Sequence, residues 1–178
     1  MIKKISLAIV FVLAIPFAIA LFLPTHYEVE REVTVDKPLD TVFAYVKLLK
    51  NQDSFSKWMQ MDPDMKKTYT GVDGEVGFVS AWDSKNDDVG VGEQEIVGIV
   101  DGQRIDYELR FLKPFEATSP AYMTTHAVSP NQTTVKWGFQ GSLDYPMNIM
   151  FLFMDFEQVI GDDLQFGLNN MKENLEAK

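Results

Sequence analysis

Tyr27, Val29, Val33 and Val35 alternate with Glu28, Glu30, Glu32 and Thr34, the period-two pattern of a strand with one face buried. Asp36 and Pro38 then open a helical stretch in which Leu39, Val42, Phe43, Val46 and Leu49 recur on one side through about Lys50. Asn51–Trp58 reads as a turn and a second short helix, closed by Asp62-Pro63-Asp64. Beyond it the period returns to two, with strands predicted near Lys66–Thr70, Val76–Trp82, Glu93–Val100, Arg104–Leu112, Ala121–Val128 and Thr133–Gly141. Asp101-Gly102 predicts a two-residue hairpin turn of the mirror type, with positive φ at both positions. From Pro146 to about Ala177 the spacing is helical again, and Phe153, Phe156, Ile160, Leu164, Leu168, Met171 and Leu175 form its stripe. Gly161 and Gly167 interrupt that helix where a backbone or ligand would come close. Strand, two helices, about six strands and one long helix make an α+β fold, because the sheet's apolar face needs covering and only the last helix is long enough.

Ahead of the first strand the pattern is neither period. Ile5–Leu23 is uncharged, and at about 1.5 Å per residue it reaches close to the roughly 30 Å hydrocarbon core. This predicts one transmembrane helix over residues 5–23, so that the chain divides into a membrane anchor or signal segment, 1–24, and a folded domain, 25–178. Lys3 and Lys4 before the segment place the amino end in the cytoplasm and the domain in the periplasm, on the inner membrane. The alternative is a signal peptide cut after Ala18-Ile19-Ala20, leaving a secreted or periplasmic domain.

Charge narrows the chemistry. The chain carries a net charge of −10, and all 26 acidic side chains lie after residue 24. Such a domain does not suit a phosphate backbone, so no nucleic acid is expected as a partner. The absence of cysteine removes thiolate zinc sites, iron–sulfur clusters and thiol nucleophiles. His26 and His126 stand apart in the sequence and form no ligand spacing, and no metal or cofactor is implied. Neither a nucleophile elbow nor a phosphate-binding glycine pattern is present. What is left for catalysis is a carboxylate in an apolar pocket. Asp155 and Glu93 are the candidates, with Glu95, Glu116 and Glu157 behind them, and Asp155 stands out because it interrupts an apolar run. For binding, Trp82, Tyr107, Phe111, Met123, Trp137 and Phe139 can share the sheet's inner face, opposed by Phe153, Ile160 and Leu164.

The segments VEREVTVDKPLDTVFAYVKLLKNQDSFSKW at 29–58, DPDMKKTYTG at 62–71, GVGEQEI at 90–96, YELRFLKPFE at 107–116 and the stretch 135–175 follow in an order that resembles the START-like, helix-grip superfamily. Within it the resemblance is to polyketide cyclase/dehydrase-like (SRPBCC) domains that follow an N-terminal membrane segment. It implies a curved antiparallel sheet wrapped around the last helix, with an apolar cavity between them. The expected function is a membrane-tethered envelope module binding a hydrophobic small molecule or lipid, with the bilayer itself a partner through residues 5–23. Two alternatives stay open: a cyclase or dehydratase using a buried carboxylate, and an envelope module that binds another protein or serves in stress.

Overall fold

The alternation that begins at Tyr27 builds the edge strand of a single antiparallel sheet. The structure is a computed structural model describing residues 14–177. Strand β1 (His26–Val35) is followed by helix α1 (Leu39–Val46), a 3₁₀ turn (Leu49–Ser54) and helix α2 (Lys57–Met61). Strands β2 (Lys66–Thr70), β3 (Val79–Asp83), β4 (Val91–Val100), β5 (Arg104–Lys113), β6 (Ala117–Ser129) and β7 (Gln132–Ser142) come next. A second 3₁₀ turn (Met147–Leu152) leads to helix α3 (Phe156–Glu176). The sheet order is β1-β7-β6-β5-β4-β3-β2, so the first strand pairs with the last and the rest form a meander.

Irregularities in the register fall at Val97 in β4, at Leu112 in β5 and at Val128 in β6. Bulges of this kind bend a strand and increase its twist, which turns a flat sheet into a trough. Helix α3 lies along that trough against β1 and β7. Its buried positions Leu164, Leu168, Met171 and Leu175 repeat every three or four residues, one face of a 3.6-residue helix. They join Val29, Val35, Val42, Val46, Phe55, Phe78, Ile96, Ile105 and Val135 in one hydrophobic core. This is the α+β helix-grip fold.

Three expectations need correction. The hairpin turn between β4 and β5 spans three residues, since Val100 pairs with Arg104 and Gln103 N–H donates to Val100 O at 2.9 Å. Only Gly102 has positive φ, at 71°, so the turn takes its glycine at one central position and leaves Asp101 in an ordinary conformation. The last helix begins at Phe156 and not near Pro146. Met147–Leu152 is a 3₁₀ turn, and the backbone breaks there because the Asp155 carboxylate accepts from Gln158 N–H at 3.0 Å and starts a new helix.

The third correction concerns the transmembrane helix expected over residues 5–23. Residues 1–13 lie outside the described residues. The described remainder is a helical run at 14–20 that ends in a turn. No helix among the described residues is long and apolar enough to cross a membrane. Ala20 is buried, and the Asn148 amide donates to Ala20 O at 2.7 Å and to Leu23 O at 3.3 Å, so the end of the run is stitched to the folded domain. The membrane tether, the bilayer partner at residues 5–23, the inner-membrane placement with a periplasmic domain, and the envelope setting of the protein-binding alternative rested on that helix and fall with it. The secreted or periplasmic form left by cleavage after Ala20 rested on residues mostly outside the described ones, and Ala20 itself is held by the domain.

Candidate functional site

The rows of the sheet decide which side chains meet open space. Trp82, Gly92, Phe111 and Ala117 lie in register across β3 to β6. The next row is Ser80, Gln94, Leu109 and Ser119. The row after that is divided: Ile96 and Tyr107 are sealed in the core, while Ala121 and Phe139 still reach the open space. Between the first two rows, β7, α2 and the first half of α3, the fold leaves a cavity of about 530 Å³. That lies within the roughly 300–1,000 Å³ of ordinary small-molecule sites.

Its walls are mostly aromatic and aliphatic. Trp82, Phe111, Trp137, Phe139, Ile160 and Leu164 all line it, together with Tyr27, Trp58, Met59, Leu109, Ala121 and Phe156. Edge-to-face contacts fix the large rings. Trp137 meets Phe55 at 5.8 Å and Trp58 at 6.4 Å, and Trp82 meets Phe111 at 6.3 Å. The indole N–H of Trp82 donates to Val89 O at 3.3 Å, which ties the 84–90 loop to the sheet end. At the other side Tyr27 stacks on Phe156 at 5.3 Å, and burial raises the Tyr27 phenol's pKa.

Three residues expected on the wall lie elsewhere. Tyr107 and Met123 share the inner face but sit one or two rows deeper, sealed in the core and outside the cavity lining. Phe153 is 79% exposed and borders a shallow depression beside Leu152 and Met154. Conversely, Gln52, Ser56, Gln94 and Ser119 are buried polar residues of the lining that sequence reasoning passed over. Gln94 and Ser119 were legible as in-facing neighbours of Leu109; Gln52 carried no such signal, being a lone amide in a 3₁₀ turn.

The carboxylates are placed for structure. Asp155 is exposed and caps α3. Glu93 binds the Arg110 guanidinium at 2.6 Å, which also takes Glu95 at 2.8 Å and Glu108 at 2.6 Å. The three carboxylates hold Arg110 more firmly protonated than usual. Glu157 pairs with Arg31 at 2.6 Å, and Glu116 is exposed. None of these six lines the cavity. The charged residues that do, Asp87, Asp88 and Lys113, are exposed and stand at its mouth. Among the described residues no group of three or more acidic or histidine side chains is arranged to hold a metal ion.

Asp155→Ala should therefore act on the helix alone. Loss of the cap costs about 1 kcal/mol. Chemical denaturation checks the stability, and titration with an apolar fluorophore should give an unchanged dissociation constant.

Comparison with known proteins places the domain among relatives. The family described as polyketide cyclase / dehydrase and lipid transport matches residues 26–176. No curated protein sequence matches significantly. Solved structures do. The di-domain ARO/CYC StfQ from the steffimycin biosynthetic pathway superposes with TM-score 0.62 at 11% identity, covering 86% of this chain and 51% of that one. A protein from Mesorhizobium loti gives 0.60 at 12% identity over 85% and 98% of the two chains. One from Thermobifida fusca gives 0.57 at 19% identity over 84% and 93%. At these identities the likeness is one of fold.

Proposed function

We propose that this chain, which belongs to the polyketide cyclase/dehydrase and lipid transport family, holds a hydrophobic small molecule in the cavity between its sheet and α3. The observation that carries the reading is the lining itself: aromatic and aliphatic walls enclosing about 530 Å³, with buried polar groups that are all neutral amides or hydroxyls. Such a site gains affinity by removing apolar surface from water, and a few polar groups fix orientation. Lipids and polyketide-like chains both meet that description.

A second reading is cyclase-like turnover in the same cavity. The family match and the shared fold with an aromatase/cyclase favour it. On that reading the rings of Trp82, Phe111 and Trp137 would hold a flexible chain folded, and catalysis would come mainly from proximity. It would need acid–base help from neutral groups or from substrate, because Asp155 and Glu93 lie outside the lining.

The test is native mass measurement of the full chain purified from its own cells, followed by extraction of bound small molecules and titration with apolar fluorophores. The expected result is a co-purifying apolar compound, or one-to-one binding of a fluorophore. A chain that carries nothing and binds none of them overturns the reading. Accelerated ring closure of a linear poly-ketone would instead favour the cyclase.

A further inference from the structure

Two hollows of the molecule meet at one pair of rings. The internal cavity and the shallow depression beside Leu152, Phe153 and Met154 have two wall residues in common, Tyr27 and Phe156. These stacked rings, 5.3 Å apart and only partly buried, are the partition between inside and outside. Elsewhere the wall is fixed: Trp82 is tied through its N–H to Val89 O, and Trp137 is wedged between Phe55 and Trp58. Tyr27 is held by ring contacts to Phe139, Phe151 and Phe156, and it rests on the bare backbone of Gly141, where a Cβ would stand 2.2 Å from its ring. Phe156 is the first residue of α3 and follows a non-helical joint at Met154-Asp155.

An ion pair clamps that first turn to β1. Arg31 donates from Nη1 to the Glu157 carboxylate at 2.6 Å and from Nη2 to Glu157 O at 3.3 Å. Gly161, one turn further on, leaves room for the guanidinium. The Glu157 side chain is 59% exposed, so water and salt reach the pair and weaken it. The surroundings also suit passage of an apolar molecule. The mouth near the 84–90 loop carries Asp87, Asp88 and Lys113, whereas Leu152, Phe153 and Met154 lie exposed beside the Tyr27–Phe156 partition. We infer that the first turn of α3 is a lid on the cavity, with Tyr27 and Phe156 as its seal and the Arg31–Glu157 ion pair as its latch. An apolar ligand passes between depression and cavity when the latch releases. This rests on the cavity-binding reading and adds the route of exchange and what controls it.

The test is rapid mixing of the full chain with an uncharged apolar fluorophore, which gives association and dissociation rates, beside a titration that gives the dissociation constant. Arg31→Gln removes the latch at a residue outside the cavity lining. Both rates should rise about three- to fivefold, with the dissociation constant unchanged within about twofold. Raising sodium chloride from about 0.05 to 0.5 M should speed exchange in the parent and not in the variant. A second measurement obstructs the route. The chain has no cysteine, so Phe153→Cys takes a bulky maleimide at one place, and this adduct should slow both rates about tenfold or more. The same adduct on Lys85→Cys, exposed on the loop that carries Asp87 and Asp88, probes the charged mouth. Slowing there that equals or exceeds the slowing at Phe153 overturns the inference. Parent-like rates in Arg31→Gln, a weaker affinity there with an unchanged association rate, or salt-independent exchange in the parent do the same. All of these outcomes leave the cavity reading intact. A parent that binds no apolar fluorophore overturns that reading, and the lid with it.

Discussion

Leu164→Trp should lower the affinity for an apolar fluorophore by about tenfold or more while leaving the fold intact. Leu164 projects from the middle of α3, buried and on the cavity lining with Trp137. An indole at this place has open volume to enter, because about 530 Å³ lies before it. The variant would therefore fill the site without the overpacking that costs about 1–3 kcal/mol in a solid core. Two measurements separate the cases. Fluorophore emission gives the dissociation constant without interference from the added tryptophan, and urea unfolding gives the stability. Lost binding at near-parent stability is the expected pair. Strong destabilisation with unchanged fluorophore binding would mean that the space is not where the ligand sits.

The period-two and 3.6-residue patterns were enough to place β1 and the second half of α3, because Val29 and Val35, with Val33 partly buried between them, and Leu164, Leu168, Met171 and Leu175 all turn one face to the same core. Position within the cavity was not legible in this way. Tyr107, Leu109 and Phe111 share one face of β5, and alternation cannot distinguish them. Leu109 and Phe111 line open space while Tyr107 is sealed, and the difference lies in how the sheet curves at its bulges. The start of α3 was obscured by composition. Phe151-Leu152-Phe153-Met154 reads as continuous helix, yet Asp155 followed three residues later by Gln158 is a helix-start signature strong enough to reset the backbone. That same cap explains why Asp155 looked catalytic: a lone carboxylate among apolar neighbours is also what a helix start requires. The apolar segment before β1 misled for a different reason. Hydropathy measures transfer to an apolar phase and does not say whether lipid or protein supplies it, and at Ala20 the domain supplies it.

Gly167→Ala should destabilise the protein by roughly 1–3 kcal/mol, although alanine is the better helix former. In an exposed helix interior the same exchange stabilises by about 1 kcal/mol. Here a Cβ would stand 2.8 Å from the Trp137 ring and 3.4 Å from Phe55 O. Trp137 cannot give way easily, being held edge-to-face by both Phe55 and Trp58. The helix would have to lift from β7, and the loss of contact along its stripe outweighs the propensity gain. Gly161 provides the control on the same helix. A Cβ there would strike the Arg31 guanidinium, the far end of a flexible side chain that can swing into solvent. The loss is then the Arg31–Glu157 ion pair, with both partners partly exposed and worth at most about 1 kcal/mol. Gly161→Ala should thus fall near zero, propensity and ion pair offsetting each other. Thermal and urea unfolding of both variants checks the contrast. Equal effects at the two positions would show that Trp137 is not the rigid wall against which α3 closes the cavity.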